Sequence, residues 1–130
     1  MKPTLVNPDS LARPRGYSHG VKGSGDVLFV AGQIGWNREG HLVSGDLVAQ
    51  FAQALDNVVD VVWAGGGTVE SIARLTLYVT DKQEYRRRAK ELGEAYRRRM
   101  GRHFPAMTLV EVKSLLEDQA LVEIEATALV

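Results

Sequence analysis

Two stretches late in the chain, Met107-Thr108-Leu109-Val110-Glu111-Val112 and Leu121-Val122-Glu123-Ile124-Glu125-Ala126, alternate with a period of two. That period belongs to β-strands, whose successive side chains leave opposite faces of a sheet. Val110 and Val112 therefore share one face, and Met107, Leu109 and Glu111 the other. In the last strand Val122, Ile124 and Ala126 lie together, opposite Leu121, Glu123 and Glu125. Glu123 is singled out by this pattern, because a carboxylate between two β-branched apolar residues needs either a partner or a chemical role. Both readings stay open here: a Glu satisfied by backbone donors or a partner-chain Arg, or a Glu that acts on a ligand. Residues 114–119 form the polar connection, with Leu115 and Leu116 expected to pack part of it down.

Upstream, residues 1–16 contain three of the four prolines and no periodicity, which predicts an irregular arm. Tyr17 to Val21 reads as extended, Gly23-Ser24-Gly25-Asp26 as a turn, and Val27-Leu28-Phe29-Val30-Ala31 as a strand apolar on both faces; a hairpin is predicted between the two runs. Residues 38–44 are a polar connection turning at Gly40. Asp46 is placed as an N-cap, followed by the stripe Leu47, Phe51, Leu55, Val58 and Val62, and the helix stops at Gly65-Gly66-Gly67. Ala73, Leu75, Leu77 and Val79 alternate with polar or amphipathic residues in a third strand. Asp81 begins a second helix with the stripe Tyr85, Ala89, Leu92, Tyr96 and Met100. The sum is an α+β chain, read as one domain over residues 1–130, with a mixed β-sheet and two helices on one face. The second face of Val27 to Ala31, and Met107, Leu109 and Leu121, are expected to need cover on the side away from the helices. An uncovered apolar face predicts another copy of the chain there.

Charge and composition narrow the function. Sixteen basic residues balance sixteen acidic ones, which argues against a dedicated nucleic-acid binder, and the absence of cysteine removes disulfides, thiolate nucleophiles and cysteine zinc sites. A cytoplasmic location is the default expectation, with no targeting segment and no apolar run long enough for a membrane. The one charge asymmetry is residues 82–102, with nine basic and three acidic side chains. It reads either as a phosphate-contacting helix or as a solvated face with Arg87–Glu91 and Lys90–Glu94 pairs. The triple glycine lacks the following Lys-Ser or Lys-Thr of a phosphate loop, His19, His41 and His103 have no metal-ligand spacing, and no Gly-x-Ser-x-Gly elbow occurs. No metal and no cofactor are expected.

Several short motifs occur together, in order: Gly16-Tyr17-Ser18-His19-Gly20-Val21, Phe29-Val30-Ala31-Gly32-Gln33-Ile34, Ala54-Leu55-Asp56-Asn57-Val58, Tyr78-Val79-Thr80-Asp81, Phe104-Pro105-Ala106, Val110-Glu111-Val112 and Val122-Glu123-Ile124-Glu125-Ala126. By these the chain resembles the RidA (YjgF, L-PSP endoribonuclease) family of imine and enamine deaminases over nearly its whole length. The resemblance implies a chorismate-mutase-like fold, a homotrimer, and small-molecule substrates held in clefts between subunits. It carries a water-assisting Glu onto Glu123 and a Tyr onto Tyr17, the two catalytic candidates. The family's carboxylate-binding Arg falls at Met107 and its usual Ser before Gly-Gln at Ala31, while its helix Asn falls in Ala89-Lys90-Glu91. Met107 offers no donor where guanidinium would give two charge-assisted bonds, so small 2-imino acids are not the expected substrates. Arg38, Arg102 or a neighbouring subunit's cation would have to replace the missing fork.

The reading is thus a divergent imine or enamine hydrolase, with Ala31, Gly32, Trp36, Met107 and Leu109 as substrate-binding residues in a more apolar pocket. A non-catalytic trimeric binding protein is the alternative, and an endoribonuclease using the basic helix is the third.

Overall fold

The computed structural model describes residues 3–130; Met1 and Lys2, the start of the predicted arm, lie outside the described residues. Its strands are β1 (Thr4–Val6), β2 (Gly20–Lys22), β3 (Val27–Gln33), β4 (Ile72–Val79), β5 (Ala106–Glu111) and β6 (Val122–Leu129). The helices are α1 (Leu47–Ala64), α2 (Lys82–Arg87) and α3 (Ala89–Met100), and a short 3-10 turn, Val69–Ser71, leads into β4.

Four strands form the main sheet in the order β3-β6-β4-β5. β5 runs parallel to β4, and β6 is antiparallel to both of its neighbours. β3 and β4 thus point the same way with the last strand inserted between them. Helices cover one face only. Leu75, Leu77 and Val79 of β4 and Val122, Ile124 and Ala126 of β6 are buried in one core with Leu47, Phe51, Leu55, Val58 and Val62 of α1 and Leu92, Tyr96 and Met100 of α3. The period of 3.6 in α1 and the period of two in β4 and β6 are therefore read by the same packed layer.

Several expectations are corrected. The predicted hairpin does not form: β2 pairs with β1 from the supposedly irregular arm, in the register Leu5 opposite Val21, while β3 pairs with β6. Eight-residue β6 offers seven-residue β3 a longer ladder than the three residues of β2 can, and Asp26 and Val130 close its end with reciprocal backbone bonds of 2.8 and 2.9 Å. Second, Met107 and Leu109 lie on the helix side, because parallel pairing sets them opposite Leu75 and Leu77, and Leu121 also packs against that core. The apolar residues of the open face are instead Val27, Phe29 and Val110, with Phe29 77% exposed. Third, Leu115 is half-buried but Leu116 stands out from the connection fully in solvent.

The second helix is broken at Arg88, which ends α2 and begins α3. Arg88 is held there by Asp46 at 2.9 Å and by Glu91 at 2.8 Å. The break changes the phase of the surface charges, so Arg87 pairs with Glu84 and not with Glu91. Among the described residues Lys90 and Glu94 make no pair. Asp46 caps α1 as expected, accepting from Ala49 N, and the Arg88 hydrogen bond first, then the cap itself, holds its carboxyl below the usual value.

A buried amide joins these layers to the start of β6. Gln50 of α1 is fully buried; its Nε2 donates to the carbonyls of Ser44 and Gln119 at 2.9 and 3.0 Å, and its Oε1 accepts from Leu121 N at 2.8 Å. Gln50→Leu would leave those backbone groups without partners, each at about 1–3 kcal/mol. Urea denaturation of that variant should show a loss of roughly 3 kcal/mol or more, far above the loss expected of an exposed α1 position such as Asp60→Ala.

Candidate functional site

Tyr17 is set in place by its neighbour. Ser18 is buried, donates its backbone N–H to Pro105 O at 3.0 Å and its hydroxyl to Phe104 O at 2.6 Å, and bridges to Ala106 at the start of β5. The loop carrying Tyr17 is thereby laid along the Phe104-Pro105-Ala106 segment, and Tyr17, Met107 and Leu109 line one cleft of about 430 Å³. Its walls are Phe51, Leu77, Leu92, Tyr96 and Phe104, and it also meets Arg15, Tyr85, Gly93 and Arg97. Tyr96 and Phe104 stack with ring centroids 5.5 Å apart, and Tyr96 donates its hydroxyl to His103 O at 2.6 Å. Tyr85 packs edge-on to Phe51, and burial pushes its phenol up to about 12. It remains a neutral hydrogen-bonding group in an otherwise apolar wall.

Glu123 lies on the other side of the sheet. It faces the open surface beside Gly32, Tyr78 and Glu125, in a depression of about 380 Å³ that Val112, Leu115 and Leu116 also line. A bulge in β3 makes this possible, since the register moves from Val30 opposite Ala126 to Gln33 opposite Ile124, placing an extra residue in the Ala31-Gly32 segment. A Cβ on Gly32 would run into the Glu123 carboxylate, lying only 2.9 Å from its Cδ. Gly32 is therefore the residue whose missing side chain gives the carboxylate its place. Beyond the bulge, Asn57 of α1 donates its amide to the carbonyls of Ile34 and Trp36 at 3.3 and 3.0 Å, which fixes the chain as it leaves β3.

The two neighbouring carboxylates differ. Glu125 accepts the hydroxyl of Tyr78, and that bond, ahead of desolvation, raises the Tyr78 phenol above its usual value. Glu123 accepts no hydrogen bond and makes no ion pair among the described residues. It is half-buried and free in the protomer, so the backbone-satisfied alternative for Glu123 is not realised here.

The predicted site residues thus fall into two half-sites. Tyr17, Met107 and Leu109 share the helix-side cleft; Glu123 and Gly32 share the open face, with exposed Ala31 in the bulge beside them. Trp36 belongs to neither lining, and its indole donates to Gln33 Oε1 at 3.3 Å. Arg38 also stands outside the cleft, and Arg102 lines a separate depression with His103 and Glu70, so neither brings a guanidinium to the cleft of Met107 within the protomer. Arg15 and Arg97 are the arginines in the cleft lining. Arg97 is hidden in the basic run, whose composition does not show helical phase, and Arg15 lies in the aperiodic arm, where no period marks the face it takes. Gln50 was missed too, although a polar residue three positions after Leu47 on a buried stripe was its signal. Three arginines of the basic segment are engaged in ion pairs, Arg87 with Glu84, Arg88 with Asp46 and Glu91, and Arg99 with Asp56 at 2.6 Å.

Comparison with known proteins agrees with this architecture. The family model described as "Endoribonuclease L-PSP" matches residues 8–130. A RutC family protein of Pyrococcus horikoshii is 34% identical over 126 residues, 95% of each chain. The 2-iminobutanoate/2-iminopropanoate deaminase of Escherichia coli is 34% identical over 128 residues, 98% of each chain. Among solved structures, a Rid-family protein of Yersinia pestis superposes with a TM-score of 0.89 at 32% identity over the full length of both chains. The YjgF gene product of Escherichia coli gives 0.70 at 33% identity, covering 97% of this chain and 98% of its own. The chain belongs to the endoribonuclease L-PSP family, the RidA/YjgF group. No helix among the described residues is long and apolar enough to cross a membrane.

Gly32→Ala isolates the cradle. The added methyl meets the movable end of a side chain and not backbone, so the destabilisation should stay near ~1 kcal/mol. A crystal structure of the variant should show the Glu123 carboxylate turned away from β3. A carboxylate left in place would mean that the bulge, and not the glycine, creates its room.

Proposed function

We propose that this protein is an oligomeric hydrolase of imine or enamine metabolites, whose active site is completed when the open face of one protomer meets the cleft of another. The observation that carries the reading is Glu123, a half-buried carboxylate with no partner of its own, cupped by a glycine at a β-bulge. In the reaction, Glu123 takes a proton from a water molecule as the oxygen adds to the C=N carbon. The nitrogen is protonated, the tetrahedral carbinolamine collapses to C=O, and ammonia leaves, so that an imine and water become a ketone and ammonia. Tyr17, Met107 and Leu109 of the neighbouring copy hold the substrate with that carbon toward Glu123. The deaminase relative in Escherichia coli supports the reaction class.

The open face supports the assembly, since Val27, Phe29 and Val110 are exposed on it and exposed Leu116 lines the Glu123 depression. A homotrimer is the arrangement that family membership favours. The missing donor at Met107 supports a different substrate: a small carboxylate brought against a thioether loses its solvation unpaired, at a cost of several kcal/mol, on the order of a thousandfold in affinity. That same feature favours a second reading, a trimeric binding protein that no longer turns its ligand over.

Imines generated in situ from phenylalanine and from alanine by an amino-acid oxidase separate these readings, with 2-oxo acid and ammonia release as the readout. The phenylalanine imine should be hydrolysed well above background and iminopropanoate barely. Glu123→Gln should lose at least about a hundredfold of the former rate while sedimenting as wild type does, as a trimer at micromolar concentration. Unchanged turnover in Glu123→Gln, or a stable wild-type monomer, would sink the composite site; binding without any turnover would favour the second reading.

A further inference from the structure

We propose that Arg97, assisted by Arg15, is the anion-recognition element of this cleft, and that it selects carboxylates attached to an aromatic or long aliphatic body. The assignment rests on the reading of the cleft as the substrate half of a composite site, and it moves charge recognition from the sheet floor at Met107 to the helix α3.

The first observation is a glycine in the wrong place for a helix. Gly93 sits in the interior of α3, where glycine is the poorest helix former after proline. Its neighbour one turn on is Arg97, and helical side chains lean back toward the preceding turn. A Cβ at position 93 would lie 3.1 Å from Arg97 Nη1 and 3.9 Å from both Cζ and Nη2. The Nη1 edge of the guanidinium therefore comes up against the bare backbone, and Gly93 and Arg97 both line the cleft. An alanine there would push the guanidinium edge aside by a few tenths of an ångström.

The second observation is that this guanidinium is unengaged. Arg87, Arg88 and Arg99 of the same helical segment are paired with carboxylates, whereas Arg97 and Arg15 make neither an ion pair nor a side-chain hydrogen bond among the described residues. Arg98, also unpaired, lines a different depression on the far side with Asp46 and Glu91. The cleft thus joins an apolar interior to two free guanidiniums, with the neutral Tyr85 phenol beside them. That combination fits a ligand with one anionic end and an apolar body that fills the space among Phe51, Leu92, Tyr96 and Met107. A guanidinium binds a carboxylate through two parallel bonds, so it fixes orientation as well as charge.

The intact protein can be titrated calorimetrically with phenylpyruvate, a stable 2-oxo acid; with phenylacetone, which keeps the ring and ketone but has a methyl in place of the carboxylate; and with pyruvate, which keeps the acid and loses the ring. Phenylpyruvate should bind at least about tenfold more tightly than either comparison compound. Arg97→Ala should weaken phenylpyruvate about tenfold and leave phenylacetone unchanged, and Arg98→Ala should alter neither. Gly93→Ala should raise the melting temperature while weakening phenylpyruvate, a pairing that a purely structural glycine would not produce. Equal affinity for phenylpyruvate and phenylacetone, or an Arg97→Ala variant that binds phenylpyruvate as wild type does, overturns the assignment. Arg97-dependent binding with no imine hydrolysis would refute the deaminase reading and leave this one standing. Imine hydrolysis with a KM indifferent to Arg97→Ala would do the reverse.

Discussion

A four-stranded sheet packed on one side has to leave its other side to water or to another chain, and the placement of every functional residue follows from that asymmetry. Val30, Leu75, Leu77, Val122 and Ile124 are buried under α1 and α3. The alternate positions carry Phe29, Tyr78, Val110, Glu123 and Glu125 outward. Because the period of a strand is two, no residue of β6 can serve both sides. A cleft built on Met107 and Leu109 and a carboxylate built on Glu123 are therefore kept apart within one copy by the sheet. Exposed Phe29 on the open face and Leu116 beside Glu123 make burial against a second copy favourable, and the same burial would bring a carboxylate to a cleft that has none of its own.

The positions within each half-site are set by polar contacts that the core excludes from water. Gln50 ties the turn before β6 to α1 through two bonds, at Gln119 and Leu121, and holds the loop before α1 through a third, at Ser44. Asn57, two helical turns further on, ties down the chain after β3. Glu123 stands two residues past the first anchor, and Gly32 two residues before the second, so the glycine-to-carboxylate approach is fixed from both ends by one helix. A loss at either amide would be felt as displacement of the carboxylate even though neither side chain touches it.

How far the sequence alone reveals this can be judged from particular residues. Periodicity placed the cap at Asp46, the α1 stripe, and the division of β6 into Val122, Ile124 and Ala126 against Glu123 and Glu125, since each rests on local geometry. It reversed the exposure of Met107 and Leu109, because which side of β5 meets the helices depends on the parallel register with β4, a non-local fact. The hairpin failed for the same reason: β2 and β3 are adjacent in sequence, but β6 offered β3 the longer ladder. The pairs Arg87–Glu91 and Lys90–Glu94 assumed one unbroken helix, and the break at Arg88 moved Glu91 to a different arginine. The bulge at Ala31-Gly32, which gives Gly32 its meaning, left only a glycine in a strand as its trace.

A methionine at the floor of a cleft, compared with an arginine there, changes which end of a ligand the interior prefers. A guanidinium surrounded by Phe51, Leu77 and Tyr96 would have to be desolvated in the free protein, and its cost is offset only when a carboxylate arrives. Met107 carries no such burden and presents a wall that gains free energy from any apolar group, roughly 25 cal/mol for each Å² removed from water. An anionic ligand then lowers its free energy by keeping the charge toward solvent and the guanidiniums at Arg15 and Arg97, and by turning its hydrocarbon inward. Distance follows from orientation: a reacting carbon next to the carboxylate is drawn toward α3, and whether it still reaches a carboxylate such as Glu123 depends on how deeply the second copy inserts its open face. In a composite site of this kind the identity of residue 107, the glycine at 93 and the depth of the subunit contact would be coupled, and a change at one of them without the others would leave a cleft that binds without bringing a C=N carbon to water.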